Sequence, residues 1–166
     1  MASTVKKTNP DITACTDLLA GYATKGFFNG FSVEKETLKQ ARYQLHWHFN
    51  RLYQVDINLM TGKIQMPVVF PNVKSRSRMD KDFRAFIAER CSPVQLEHRR
   101  FNREQIKVVN RSSNLSLEMV LTEKLSAQTM MRFIGLIHEV FKIFLKNGQH
   151  DTYVSEQYQI DADSFW

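Results

Sequence analysis

An α+β domain with an antiparallel sheet of about five strands, in the order α-β-β-β-α-β-β-α, is the fold that this sequence predicts. Three observations predict it. Apolar residues recur at helical spacing near both ends of the chain and once in its middle. Between these segments, two stretches alternate apolar and polar residues with the period of a strand. Turn and capping residues stand where these patterns begin and end. With 166 residues, 43% of them hydrophobic, the chain is the size of one domain around one core. Residues 1–166 therefore read as a single domain, with a frayed polar tail over 1–8 and a C-terminal extension over 149–166.

The first helix starts after Asn9, an N-cap, with Pro10 at its first position and Asp11 placed well against the helix dipole. Ile12, Cys15, Leu19 and Tyr22 form its buried stripe, and Gly21 and Lys25-Gly26 bracket its end. Phe27-Phe28-Asn29-Gly30-Phe31 joins turn residues to three large rings, a loop pinned to the core.

From Ala41 to Leu59 the odd positions are almost all apolar: Ala41, Tyr43, Leu45, Trp47, Phe49, Tyr53, Val55, Ile57 and Leu59. The run exceeds one ordinary strand, so it divides near Asn50-Arg51-Leu52 through an odd-numbered loop that keeps both halves in phase. Thr61-Gly62 then makes a tight turn pairing Met60 with Lys63, Leu59 with Ile64, Ile57 with Met66 and Val55 with Val68. A competing reading exists over residues 33–50, where Leu38, Ala41, Leu45, His48 and Leu52 also fit a helix capped by Ser32.

Pro71 closes the meander and leads into a basic loop with Lys74, Arg76 and Arg78. Ser77 and Asp80 form a capping box for a short helix carrying Phe83, Phe86 and Ile87, stopped at Ser92-Pro93. After an arginine-rich connector, Ile106 and Val108 oppose Met119 and Leu117 across a turn at Arg111-Ser112-Ser113-Asn114. Ser126 caps a long last helix that ends at Asn147-Gly148. Met130, Met131, Phe133, Ile134, Leu136, Ile137, Val140, Phe141, Ile143, Phe144 and Leu145 leave it few polar positions. A helix so apolar is covered on more than one side: by the sheet, and by a second protomer or by the tail residues Tyr153, Tyr158, Phe165 and Trp166.

The composition excludes several classes. No apolar run is long enough for a transmembrane helix and the N-terminus has no signal-peptide pattern, so the expected location is cytoplasmic. Cys15 and Cys91 give neither a disulfide framework nor a metal-ligand spacing. Nucleotide-binding, nucleophile-elbow and zinc-protease motifs are absent, so neither an enzyme nor a cofactor is expected. The 23 basic against 17 acidic residues give +6, a charge that favours nucleic acid or acidic protein as partner.

Two constellations remain. With the loop placed as above, His46 and His48 share a strand face and Asp56 lies opposite His46, a possible zinc or iron ligand set against the simpler reading of a solvated sheet face. Arg99, Arg100 and Arg103, with Lys74, Arg76 and Arg78, would form a phosphate- or carboxylate-binding patch if their loops converge; otherwise they are solvated loops.

The element order, the long apolar last helix and the two hairpins separated by a short helix resemble the class I type III secretion chaperones and the YbjN-like proteins. His46-Trp47-His48-Phe49-Asn50-Arg51-Leu52-Tyr53 and Leu96-Glu97-His98-Arg99-Arg100 resemble stretches of small bacterial relatives of that fold. The resemblance implies a dimeric, non-enzymatic binding scaffold. The function expected is thus a homodimeric protein-binding or chaperone-like module. Nucleic-acid binding through the arginines and a metal-dependent enzyme at the His-x-His pair are the alternatives.

Overall fold

Period-two alternation does build a sheet, and it contains one strand more than expected. The computed structural model describes residues 7–97 and 100–160. Helix α1 (Pro10–Thr24) is followed by β1 (Gly30–Glu36), β2 (Gln40–His46), β3 (Leu52–Asn58) and β4 (Lys63–Phe70). Then come α2 (Arg78–Arg90), β5 (Ile106–Arg111), β6 (Asn114–Val120), α3 (Ala127–Glu139) and α4 (Asp151–Tyr158). The six strands form one antiparallel sheet in the order β1-β2-β3-β4-β6-β5. Residues 40–46 are strand, which settles the helix alternative over 33–50 against the helix.

The unexpected strand is β1. Glu34, Lys35 and Glu36 hide its pattern, and a bulge between Val33 and Lys35 breaks its alternation. Charge and a bulge are what protect an exposed sheet edge from pairing with other chains. The opposite edge, β5, is protected differently: Arg84 Nη1 of α2 donates to the Val108 carbonyl at 3.1 Å.

Both meander registers differ from expectation by an even shift, so every face assignment in the paired segments survives. His46 pairs with Leu52 across a loop over 47–51, and Asp56 faces Arg42, not His46. At the next turn Asn58, not Met60, pairs with Lys63, and Ile57 faces Ile64, not Met66. Asn58 is the cause: its Oδ1 accepts from the backbone N–H of Met60 at 3.0 Å and of Thr61 at 3.2 Å, closing an Asx turn two residues early. Ile57, Ile64 and Met66 all stay buried. Val55 has no β4 partner, because the β3–β4 pairing ends at Asp56 and Gln65; Val68, in the stretch where β4 shifts register against β6, is exposed. In the second hairpin Ile106 faces Met119 and Val108 faces Leu117, as the alternation requires.

Gly62 closes the meander turn at φ +67 in open space. A Cβ there meets no atom, so substitution costs conformational strain alone. Gly62→Ala is expected to destabilise by about 1 kcal/mol and Gly62→Val by about 2 kcal/mol, since β-branching disfavours positive φ most. Urea unfolding checks this; three proteins of equal stability would show that the turn tolerates ordinary backbone.

One face of the sheet carries the core. Asn9 caps α1, accepting from Asp11 N at 2.9 Å, and Ile12, Cys15 and Leu19 are buried. Ser126 caps α3, whose helical path continues through a π turn (Val140–Phe144) and a 3-10 turn to Gly148 at φ +83. Most of its apolar circumference is covered within the chain, while Met131 and Ile143 stay exposed. Phe141 meets Phe70 of the sheet at 5.3 Å between ring centroids, and Phe144 meets Phe83 and Phe86 of α2 at 5.5 and 5.6 Å. The tail supplies the remaining cover: α4 folds back, burying Val154 and Tyr158, and Tyr158 stacks on Phe49 at 3.9 Å. Phe165 and Trp166 lie outside the described residues.

Candidate functional site

The other face of the sheet is open. Register places one residue from each strand in a transverse row, Lys35, Arg42, Asp56, Gln65, Glu118 and Lys107. Asp56 is its acceptor hub, taking hydrogen bonds from Arg42 Nε at 3.0 Å and Gln54 Nε2 at 2.9 Å. Glu118 is only 5% exposed and is met by Lys63 Nζ at 3.4 Å. Glu34 accepts from Gln44 Nε2 at 2.8 Å. Opposite charges and amides side by side on neighbouring strands satisfy one another, so the middle of this row, from Arg42 to Glu118, is a self-contained polar surface.

The sheet splits beside this row. β3 pairs with β4 from Asp56 to Asn58 alone, so Leu52–Val55 have no strand partner on that side. Pro67 stands where β4 leaves register, a position at which the missing N–H costs nothing to the ladder. The result is a cleft of about 400 Å³. Leu52, Pro67, Val68 and Pro71 give it apolar walls, Gln44, Gln54 and Gln157 bring amides, and Arg51 brings a guanidinium. Tyr53 and Tyr158 also line it, the latter from α4. Beneath, Tyr53 donates to the His48 carbonyl at 3.1 Å and Tyr153 to the Pro71 carbonyl at 2.6 Å, tying the cleft to the turn before β3 and to the end of β4. Burial pushes the Tyr158 phenol up to about 12, so it stays protonated.

The expected metal ligands are not brought together. His46 Nε2 lies 3.0 Å from the Asn50 carbonyl on the open side, whereas the His48 ring stacks on Phe141 at 4.2 Å on the core side. Asp56 is held by Arg42 further along the sheet. Among the described residues no group of three or more His, Cys, Asp or Glu side chains could hold a metal ion. The five-residue turn causes this: Phe49 and Asn50 adopt positive φ, reversing the chain so that His48 leaves the strand before its alternation would place it beside His46.

The arginines divide between the two ends of α2. Arg76 and Arg78 precede and open the helix, where Arg78 meets Asp82 at 3.6 Å. Arg103 lies beside Cys91 at the other end, and Arg100 donates to the carbonyls of Pro93 and Gln95 at 3.4 and 3.3 Å. A helix of 13 residues separates the groups by about 20 Å. The loops do not converge, and Arg99 lies outside the described residues. The thiols are poor nucleophiles: burial and Asp11 push Cys15 up to about 12, and burial raises Cys91.

The cleft residues Arg51, Leu52, Gln54 and Val68 were not singled out by the sequence. A signal existed in Pro67 followed by Val68-Val69-Phe70, where a proline and a lost alternation mark a bulge.

Fold and site together define a two-layer α+β protein with one face of its antiparallel sheet uncovered and a cleft opening onto that face. No protein-family model, curated protein or solved structure matches the chain. The four strands preceding α2, in place of three, depart from the element order on which the secretion-chaperone and YbjN-like resemblance rests. Among the described residues no helix is long and apolar enough to cross a membrane.

Proposed function

We propose that this chain is a non-enzymatic binding module that receives another protein on its open sheet face, with the cleft between β3 and β4 as the anchoring point. The cleft carries this reading. It joins an apolar wall, with Leu52 68% exposed, to amide groups and to a stretch of β3 lacking a strand partner. Apolar walls with a few convergent polar groups are the usual make-up of a binding site. Strand backbone without a partner suits an extended chain. The α2 and α4 helices and the sheet cover most of the apolar last helix, which leaves Met131 and Ile143 exposed.

Base stacking finds no platform here, which weighs against single-stranded nucleic acid. The strand aromatics Phe31, Tyr43, Tyr53 and Phe70 all pack toward the core.

A random-peptide display library separates the outcomes. The wild-type protein is expected to enrich peptides that the Leu52→Asp, Val68→Asp double variant fails to hold. Both side chains are exposed, so the variant keeps its fold. Equal enrichment on the two proteins would reject the cleft as the anchoring point.

A further inference from the structure

Resting on that reading, we infer that the cleft selects an acidic extended segment carrying one bulky apolar side chain. The charge balance of the open face is the first ground. Its three strand carboxylates are engaged within the chain: Glu34 by Gln44, Asp56 by Arg42 and Glu118 by Lys63. Arg51, at the cleft, and Lys107 and Arg111, on β5, have no ion-pair partner among the described residues. The positive charge that remains is therefore available to a partner and complements a carboxylate. Arginine also presents its donors in a fork that matches a carboxylate.

The shape of the cleft is the second ground. Leu52 and Val68, exposed by 68% and 37%, stand on its two sides, one on β3 and one on the bulged part of β4. An apolar side chain entering between them covers both. The main chain on either side of that residue then runs past Gln44 and Gln54, whose Nε2 groups are held by Glu34 and Asp56 and whose amide oxygens can accept. Along β3 it meets Leu52–Val55 on the side that has no strand partner. An acidic residue flanking the apolar one comes within reach of Arg51. A nucleic-acid strand shares the negative charge but offers no side chain for the apolar walls.

Titration of the isotope-labelled full chain, followed by amide resonances, tests this with four probes: a short acidic peptide with a central leucine, its lysine-for-acid counterpart, the acidic peptide with glycine for leucine, and a single-stranded oligonucleotide. The acidic leucine peptide is expected to shift Leu52, Gln54 and Val68 and to bind about tenfold more tightly than the lysine peptide. Glycine for leucine should abolish the shifts at Leu52 and Val68. Arg51→Glu should remove the charge preference and Arg51→Gln should reduce it; Arg51 is exposed and unpaired, so neither variant threatens the fold. Peptides of either charge binding the cleft equally would overturn the acidic preference while leaving a protein-binding cleft. An oligonucleotide shifting the same amides more strongly than any peptide would overturn it as well. No peptide shifting any residue of the open face would remove both this inference and the function on which it rests.

Discussion

Asp80→Ala is expected to lower the unfolding free energy by about 3 kcal/mol, the scale of a buried, hydrogen-bonded carboxylate whose partners are left behind. Asp80 is 3% exposed and joins three parts of the chain. Its carboxylate accepts from the Arg76 backbone N–H at 3.2 Å, from Arg84 Nε at 3.2 Å and from Asn110 Nδ2 at 3.1 Å. Asn110 in turn donates to the Val73 carbonyl at 2.9 Å, so the loop before α2, α2 itself and β5 share one node. Ser77 caps the Asp80 N–H at 3.3 Å, but the acid of the expected capping box bonds to Arg76 N. Burial alone would raise the Asp80 pKa; the hydrogen bonds from Asn110, Arg84 and Arg76 outweigh it and hold the pKa below the ordinary 3.8. A lowered folded pKa means that this contribution is full above the unfolded value and is lost as pH falls through the folded one. Asp80→Asn, which keeps shape but not charge, should fall between alanine and wild type. Urea unfolding at neutral pH measures all three, and a loss under about 1 kcal/mol for alanine would show that the node contributes no more than one ordinary hydrogen bond.

Acid should destabilise the protein well before its carboxylates titrate, with His48 as the main cause. His48 stacks between Trp47 and Phe141, each 4.2 Å away by ring centroid, and its Nε2 is buried without a partner. Burial, then the nearby His138 and Lys142, push its pKa from 6.5 down to about 3. His138, with a buried unpartnered Nδ1, is lowered in the same sense by burial and Lys142, and Glu139 opposes the shift. The unfolded chain takes up these protons near the ordinary value, and the folded chain resists them. Stability is therefore full above pH 6.5 and falls below it by about 1.4 kcal/mol per pH unit for each histidine held neutral. From His48 alone the loss two units lower is about 2 to 3 kcal/mol. His48→Phe, which fills the same aromatic slot without a titrating group, should flatten that decline and cost little at neutral pH. Denaturation midpoints across the acid range provide the measurement. The same pH dependence in variant and wild type would mean that His48 takes its proton while folded.

Parity explains why the sequence read the sheet faces better than the registers. Both meander turns are longer or earlier than expected, yet each shift moves the pairing by an even number of positions, so Ile57, Ile64 and Met66 stay on the core side. Alternation thus survives errors in turn length, whereas a constellation such as His46, His48 and Asp56 requires the pairing itself to be right.

The local and periodic part of the protein is encoded by residues close together in the chain. Asn9, Ser77 and Ser126 set the helix starts because a side-chain oxygen next to free amides needs no distant partner. The register of β5 against β6 follows from a short turn that leaves few alternatives. Tertiary structure alone decided the rest. β1 is a strand because β2 offered it an edge, despite its charges. Arg76 and Arg103 are held apart by the length of α2, and the His48 ring packs on Phe141 because the chain reverses in a turn with positive φ at Phe49 and Asn50. The cleft exists where β3 follows β2 and β4 follows β6, and two strands with different neighbours diverge once their common pairing ends at Asp56 and Gln65. Each of these outcomes depends on residues far apart in the chain meeting in space, which no local pattern encodes.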